Sequence, residues 1–362
     1  MLYSESLLVG TIKERLGRVK EKLKKVRLLF EAEPEKSLSV LGVKKHRFLL
    51  APPLAEVEAE TFEKTHQISL PEDYRSFLLT LGATGAGPYY GLLPLSKWND
   101  VSFDDPHEAL LQSDCKLVPN MSKDWQCTLL KQGLEPYGGA LPIVEQGCTY
   151  YSLLVLNGPY HGKVVNIDLN GSPPFFVDNP DFLSWYERWL DEWLNGVEIF
   201  WFGFTPTGDE EELCLLLQGE KAVAAALALN RLPRLGSKTV SLLEHSLASP
   251  AADVRAAAVK TIGHLGGENK LEQVIALVDD PSPLVRHDAL WTLRKYFMDE
   301  KKAISPLFTK ALEDSDEEVL HYALMTFKEL PFTDKEELVR FLQDPREKIK
   351  AMAKWVLQGY EK

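Results

Sequence analysis

The sequence has few cysteines and no long apolar run near its start. Within the first twenty residues the longest apolar run spans residues 7–9, far short of the core of a signal peptide or of a membrane-spanning helix. Cys115, Cys127, Cys148 and Cys214 form no Cys-x-x-Cys pair, and no histidine lies at metal-ligand spacing from them. We therefore expect a cytoplasmic protein without a membrane segment, whose cysteines are reduced and half-buried.

The common catalytic motifs are also absent. The sequence contains no Gly-x-Ser-x-Gly, no phosphate-binding Gly-x-x-x-x-Gly-Lys-Ser/Thr, no Gly-x-Gly-x-x-Gly after a predicted strand and no His-Glu-x-x-His. Asp104, Asp105, His107 and Glu108 have the residue types of a metal or acid–base site, but adjacent carboxylates in such a loop more often cap a helix. We expect a protein without catalytic activity, metal or cofactor.

Charge is spread unevenly along the chain. Residues 1–30 carry 8 Lys and Arg against 3 Asp and Glu, residues 31–200 carry 12 against 24, and residues 201–362 carry 21 against 26. An acidic middle region repels nucleic acid and anionic lipid and attracts a basic partner. The alternative is that this charge only keeps the protein soluble.

The last third of the sequence contains four copies of one pattern, with start-to-start spacings of 31, 34 and 30 residues. The copies are SPAADVRAAA from Ser249, DPSPLVRHDA from Asp280, DSDEEVLHYA from Asp314 and DPREKIKAMA from Asp344. In each copy a Ser or Asp opens the segment, and apolar residues follow at i, i+4 and i+8, the spacing of one helix face. These rows are Val254, Ala258, Ile262; Val285, Ala289, Leu293; Val319, Ala323, Phe327; and Ile349, Ala353, Leu357.

A second apolar helix is predicted before each of these rows, so the repeating unit is a helix pair. One pair cannot bury its own apolar stripe, and neighbouring pairs therefore stack. The pattern resembles short HEAT-type repeats, most clearly at Asp280, Val285, Arg286 and Ala289. The resemblance implies an all-α repeat solenoid over residues 210–362, with about four to five helix pairs, that binds another protein. We expect Arg255, Arg286 and Lys350, which recur at equivalent positions, to form local ion pairs.

Residues 4–30 predict a basic amphipathic helix. Such a helix can bind a membrane or a partner helix, but docking on its own domain is the commoner arrangement. A possible strand pair follows between residues 34 and 53, and a helix over 54–64. Pro71 then opens a helix whose buried stripe includes Tyr74 and Phe77, and residues 90–95 lead into a sheet.

Three β-rich runs, residues 139–147, 149–158 and 162–171, predict an antiparallel meander. Residues 181–195 predict a closing helix in which Trp185, Trp189 and Trp193 pack inward. Together with the helix that begins LPEDYRSFL, this order resembles the SUKH superfamily. The matching residues are Leu70, Pro71, Tyr74, Phe77, Leu78, Gly91, Leu92, Pro94, Leu95, Leu141, Pro142, Ile143, Phe182 and Leu183. The sequence departs from the pattern in a long insertion, residues 96–136.

The resemblance implies an α+β domain, with helices packed on an antiparallel sheet, over residues 54–200, and residues 1–53 are predicted to pack on it as a helical extension. SUKH proteins include bacterial immunity proteins, which neutralise toxins, and fungal regulators of cell-wall synthesis. We expect an immunity protein that binds a basic toxin domain, such as a nuclease, and that binds neither nucleic acid nor membrane. The candidate contact residues, exposed near loops, are Tyr89, Tyr90, Trp98, Asp100, Asp104, Asp105, Trp125 and Tyr137. A single residue of this kind is more often part of the core than a contact, and their grouping near one loop region favours the contact interpretation.

Two other functions stay open. In the immunity interpretation the repeats widen the binding surface or hold a second partner protein. The first alternative is a scaffold, adaptor or regulatory protein whose repeat array is the main protein-binding surface and whose front domain is regulatory. The second is a lyase-type enzyme built on the repeats, which would require a bound small ligand. A DNA-binding role for the repeats is disfavoured by their excess of acidic residues.

Overall fold

A computed structural model of the chain describes residues 2–100, 111–330 and 335–358. The chain divides into two compact units, Met1–Asp209 and Glu210–Lys362. We call them the N-terminal unit and the C-terminal unit. An α+β unit with an antiparallel sheet precedes an all-α unit, which confirms the predicted fold class.

The described part of the N-terminal unit contains eight α-helices and four strands. The helices are α1 (Tyr3–Ser6), α2 (Ile12–Ala32), α3 (Pro34–Leu38), α4 (Val43–His46), α5 (Glu56–His66), α6 (Glu72–Thr80), α7 (Trp125–Lys131) and α8 (Phe182–Leu194). The strands are β1 (Ala140–Gly147), β2 (Tyr150–Val155), β3 (Val164–Asp168) and β4 (Phe175–Phe176).

The sheet has the order β1-β2-β3-β4, and all its pairings are antiparallel. The three predicted strands are confirmed, and β4 is an addition of two residues. Alternation along the strands places Leu154 and Val164 in the large core with α6 and α8, and Leu153 and Val165 in a smaller core that includes residues of α7. Both faces of the sheet are therefore covered.

The predicted basic helix, α2, packs on α8. Arg15 pairs with Asp181 (2.7 Å), Arg18 with Glu187 (2.9 Å), and Lys22 with Glu187 (2.8 Å) and Asp191 (2.7 Å). These charges are used within the unit, as the docking interpretation expects. Trp185 and Trp189 of α8 are each 1% exposed, as predicted.

The strand pair predicted between residues 34 and 53 is wrong. Pro34 opens the short helix α3, and α4 follows after a left-handed turn at Gly42. Phe48, at φ +57°, then inserts its ring into the core, and Leu50 makes only an isolated bridge to Gly85. Residues 90–95 likewise contribute a single bridging residue, Leu92, in place of a strand.

The C-terminal unit contains ten helices in its described part. They are α9 (Glu210–Leu216), α10 (Ala222–Leu229), α11 (Ser237–Ser246), α12 (Ala252–Leu265), α13 (Glu268–Ala276), α14 (Pro283–Tyr296), α15 (Lys301–Ala311), α16 (Glu317–Thr326), α17 (Lys335–Val339) and α18 (Glu347–Gln358). The four predicted rows lie on α12, α14, α16 and α18 or the turn after them. Ten of the twelve side chains are buried, and Val254 and Leu357 are half-buried.

The recurring Arg and Asp residues join successive repeats. The Arg255 guanidinium donates two bonds to Asp280 (2.8 and 2.7 Å), and Arg286 does the same to Asp314 (2.7 Å each). Leu320 occupies the next equivalent position, and Asp344 instead pairs with Arg346 of its own turn (2.8 Å). The ion pairs expected for Arg255 and Arg286 therefore connect neighbouring repeats.

No helix in the described ranges is both long and apolar enough to cross a membrane. The cysteines only partly fit their predicted burial. Cys115 is buried and Cys214 half-buried, whereas Cys127 and Cys148 are exposed because they lie on a surface helix and at a strand turn.

Candidate protein-binding surface

Two predicted contact residues belong to the core. The Trp125 and Tyr137 side chains are 1% and 3% exposed, and their rings lie 5.7 Å apart. Trp125 Nε1 donates to the carbonyls of Gly171 and Ser172, each at 3.2 Å. Their expected exposure is wrong, because both rings fill the smaller core under the sheet.

Tyr90 and Asp100 lie near the β1–β2 pair. The Tyr90 amide donates to the Glu145 carbonyl (3.4 Å), and Lys45 Nζ lies 5.4 Å from the centre of the Tyr90 ring. Burial, followed by the Glu145 and Asp100 carboxylates, raises the pKa of Tyr151, which pairs with Glu145 across the strands. Tyr90 and Asp100 are both half-buried and reachable from solvent.

Trp98 and Tyr89 have other neighbours. The Trp98 ring lies 4.5 Å from His66 of α5. The Tyr89 hydroxyl donates to the Phe202 carbonyl at 2.9 Å. Asp104 and Asp105 lie outside the described residues, together with the rest of their polar cluster. The predicted residues therefore do not form one continuous patch.

Among the described residues of the N-terminal unit, the most exposed aromatic residues lie on residues 196–207, a segment after α8 that we call the strap. Ile199 and Phe202 point inward, at 8% and 1% exposure, whereas Phe200 and Trp201 point outward, at 56% and 48%. Trp201 has φ +62°, in the left-handed region that non-glycine residues seldom occupy. Such a conformation persists only where surrounding contacts fix the backbone.

Arg188 of α8 supplies those contacts from beneath. Its guanidinium, 2% exposed, donates to the Thr205 carbonyl (3.0 Å) and the Thr207 hydroxyl (2.7 Å). Its Nε donates to Glu192 (2.8 Å), and the guanidinium lies 5.4 Å from the Phe202 ring. The bond from Tyr89 holds the strap from the other side, so the outward rings are presented by a fixed backbone.

Gly203 lets the strap approach the sheet. Its φ is +85°, and a Cβ there would lie 3.2 Å from Nδ2 of Asn166 on β3. Both the positive φ and this close approach require glycine.

The strap rings join two further aromatic residues from the sheet. Ring centres are 5.1 Å apart for Phe200 and Trp201, 5.5 Å for Trp201 and Phe204, 5.3 Å for Phe204 and Phe175, and 6.4 Å for Trp201 and Tyr150. We call these five residues the aromatic surface. A clustered, partly exposed set of aromatic residues is typical of a protein contact rather than of an isolated surface side chain.

A groove of 770 Å³ adjoins Phe200. Its apolar wall includes Leu29 of α2, Leu41 and Trp193, and its rim carries Glu198 and Glu33, the latter paired with Lys36 (3.4 Å). The N-terminal unit as a whole carries 20 Lys and Arg against 28 Asp and Glu. An apolar groove next to exposed aromatic rings, within an acidic unit, suits a partner segment that is both apolar and basic.

Sequence reasoning missed the strap. The signal was present as IFWFGF, residues 199–204, four aromatic residues around a glycine with neither helical nor alternating period. Across the parts of the chain that are described, no group of three or more His, Cys, Asp or Glu residues could hold a metal ion.

Two family models match the chain. Residues 53–196 match the SMI1 / KNR4 family (SUKH-1), and residues 211–294 and 239–309 match HEAT repeats. The strap lies almost wholly between the two matched regions. No curated protein matches the sequence.

Several solved structures each match 42% of the chain. Escherichia coli YibA has 19% identity and a TM-score of 0.36, with 60% of its own chain covered. A designed armadillo repeat protein in complex with the peptide (KR)4 has 17% identity and a TM-score of 0.31, with 81% covered. An engineered protein has 16% identity and a TM-score of 0.30, with 78% covered.

Proposed function

Because the chain carries a SUKH-1 domain followed by HEAT repeats, both protein-interaction modules, we propose that it is a cytoplasmic, non-catalytic immunity protein. Its N-terminal unit binds a cognate toxin domain with a basic surface, such as the substrate groove of a nuclease, and blocks it. The aromatic surface is the contact site.

The observation that carries the proposal is the fixed exposure of Phe200 and Trp201. Large aromatic side chains supply most of the binding energy at many interfaces when a partner pocket removes them from water. Holding them on a backbone fixed by Arg188 and Tyr89 lowers the entropy that binding must overcome. The contact is thus formed before the partner arrives.

Charge supports a basic partner. The unit's excess of acidic residues accelerates encounter with a basic protein, and this attraction weakens as salt screens it. The predicted residues Tyr90, Trp98 and Asp100 extend this proposal as a second set of contacts at the β1–β2 edge and α5.

The test measures binding of the purified full chain to the toxin domain encoded beside its gene, by calorimetry at low and high salt. We expect the double variant Phe200→Ala/Trp201→Ala to weaken binding by at least about 100-fold, the range of a two-residue hot spot. Both side chains are largely exposed, so folding should be unaffected.

Leu130→Ala is the matched control, because Leu130 is a similarly exposed apolar residue, at 44%, on α7, which covers the other face of the sheet. Its affinity should stay within about twofold of the wild type, as expected for a residue outside the contact. Equal affinities for the double variant and the control would rule out the aromatic surface as the contact. Failure of the chain to bind the toxin or protect cells from it would end the immunity proposal.

A further inference from the structure

The second helices of the repeats carry a row of large side chains at equivalent positions. Lys260, Trp291, Met325 and Trp355 are separated by 31, 34 and 30 residues, the same spacings as the repeats. Trp291 and Met325 are half-buried against the repeat core, and Trp355 is 54% exposed. We call these four residues the ladder.

Basic side chains lie over the rings of the ladder. Lys328 Nζ is 3.6 Å from the centre of the Trp355 ring, and Lys260 and Lys295 Nζ lie 5.4 and 5.0 Å from that of Trp291. Contacts from Lys260 and Lys328 run from one repeat to the next. This places the ladder residues on one continuous face of α12, α14, α16 and α18.

The basic side chains on this face are not all neutralised by its acidic side chains. Its acids already have partners, since Asp288 pairs with Lys260 and Glu329 pairs with Arg294. Lys295 and Lys328 have no carboxylate partner within the described residues. Both ammonium groups therefore remain available to a ligand, each next to a tryptophan ring.

We propose that the ladder binds an extended acidic segment of a second partner protein, with carboxylates at Lys295 and Lys328 and apolar side chains on Trp291, Met325 and Trp355. Packed helices lie about 8–10 Å apart, and a chain in the extended polyproline II conformation rises about 3.1 Å per residue with three residues per turn. One repeat therefore matches about three residues, so a segment in this conformation turns an apolar side chain toward the ladder at every third position.

A protein segment fits this surface better than nucleic acid. Two unpaired lysines can pair with a few carboxylates, but they do not form the continuous row of basic groups that binds a phosphate backbone.

The experiment uses the full chain and fluorescence anisotropy with a labelled twelve-residue probe, Glu-Glu-Phe repeated four times. The matched probe is Gln-Gln-Phe repeated four times, which lacks the charge, and a twelve-nucleotide single-stranded DNA is the third ligand. We expect the acidic probe to bind at least tenfold more tightly than the neutral probe. Trp291→Ala/Trp355→Ala should lower that affinity at least tenfold, and Lys295→Gln/Lys328→Gln should lower both the affinity and its dependence on salt.

Leu215→Ala on α9 and Val339→Ala on α17 are controls, since these exposed residues lie on first helices, and they should leave binding unchanged. Trp355→Ala alone keeps the test valid if the double variant unfolds, because that side chain is more than half exposed. Equal binding of the two peptides, insensitivity to the ladder variants, or tighter binding of DNA to the same residues would overturn the proposal. Loss of toxin binding would leave this result unaffected, because the toxin site is assigned to the N-terminal unit.

Discussion

The two units are stabilised by contacts of very different range along the chain. In the C-terminal unit, the Arg255–Asp280 and Arg286–Asp314 pairs join residues 25 and 28 positions apart. In the N-terminal unit, the Arg15–Asp181 pair spans 166 positions and the Tyr89–Phe202 bond spans 113. The C-terminal unit uses the same short-range ion pair in successive repeats, whereas the N-terminal unit depends on a few long-range contacts that each occur once.

This difference predicts how the stability of each unit responds when a substitution removes one contact. In a repeat array, stability is close to a sum of repeats and nearest-neighbour contacts, so one lost contact can be local. The contacts of Arg188, in contrast, are not repeated. Its buried guanidinium donates hydrogen bonds both to Glu192 of α8 and to Thr205 and Thr207 of the strap.

The largest effect is expected for Arg188→Met. The change removes the hydrogen bonds from Arg188 to Glu192 and to the Thr205 carbonyl, and breaking a buried charged network in this way costs about 3–5 kcal/mol. Hydrogen exchange measured by mass spectrometry should show faster exchange in α8 and the strap. Arg27→Met, which removes a half-exposed pair with Glu31, should cost at most about 0.5 kcal/mol. Similar losses of stability in the two variants would contradict the role of Arg188 in joining α8 to the strap.

Acidification should also act on the N-terminal unit. Burial lowers the pKa of His46 from 6.5 to about 4, so the folded state holds this ring neutral while the unfolded state protonates it. The stabilisation is complete above pH 6.5 and is lost as the pH falls towards 4, by about 3 kcal/mol at 1.36 kcal/mol per pKa unit.

The measurement compares the wild type with His46→Asn, whose Oδ1 replaces Nδ1 as the acceptor of the Phe48 amide. The difference in unfolding free energy between the two proteins should change with pH between 6.5 and 4. Burial raises the pKa of Asp73 and of Asp191, so these two groups favour the folded state as the pH falls and oppose the effect of His46. Because both proteins contain the two aspartates, this contribution cancels in the difference. A difference independent of pH would disprove the role of His46.

The smallest effects come from two helical glycines, one in each unit. A Cβ on Gly263 of α12 would overlap Cγ2 of Thr292 on α14, whereas a Cβ on Gly17 of α2 would meet nothing within 4 Å. Gly263→Ala should destabilise the C-terminal unit by about 1–2 kcal/mol through overpacking. Gly17→Ala should stabilise α2 by about 0.5–1 kcal/mol.

Thr292→Ser removes the clashing methyl group and keeps the hydroxyl that donates to Asp288. Combined with Gly263→Ala, it should restore most of the lost stability in thermal unfolding. A double variant as unstable as Gly263→Ala alone would mean that helix packing does not explain the loss.

Local patterns determined much of the fold. Rows at i, i+4 and i+8 predicted the buried faces of α12, α14, α16 and α18, because a helix brings those positions together whatever it packs against. Alternating β-rich runs between glycines predicted β1 to β3, and the tryptophans of α8 predicted its buried face. Each of these features depends on neighbours within about one repeat or one hairpin.

Other features were decided by tertiary structure. The loop positions of Trp125 and Tyr137 predict exposure, but the sheet covers both, and burial depends on what packs above a residue rather than on its type. The region of residues 34–53 contains two short helices, and Phe48 after them packs into a core made by distant segments. The exposure of Phe200 and Trp201 depends on Arg188 and Tyr89, which anchor the strap from elsewhere in the chain.

The sequence by itself determined the modules, their order and the repeat register, since periodic burial and turn chemistry are local properties of a chain. Only the tertiary structure decided which aromatic residues reach solvent and which lysines beside the ladder keep an unpaired charge. Exposure and charge pairing are set by the segments that pack around a side chain, and in the N-terminal unit some of those segments lie a hundred or more residues away.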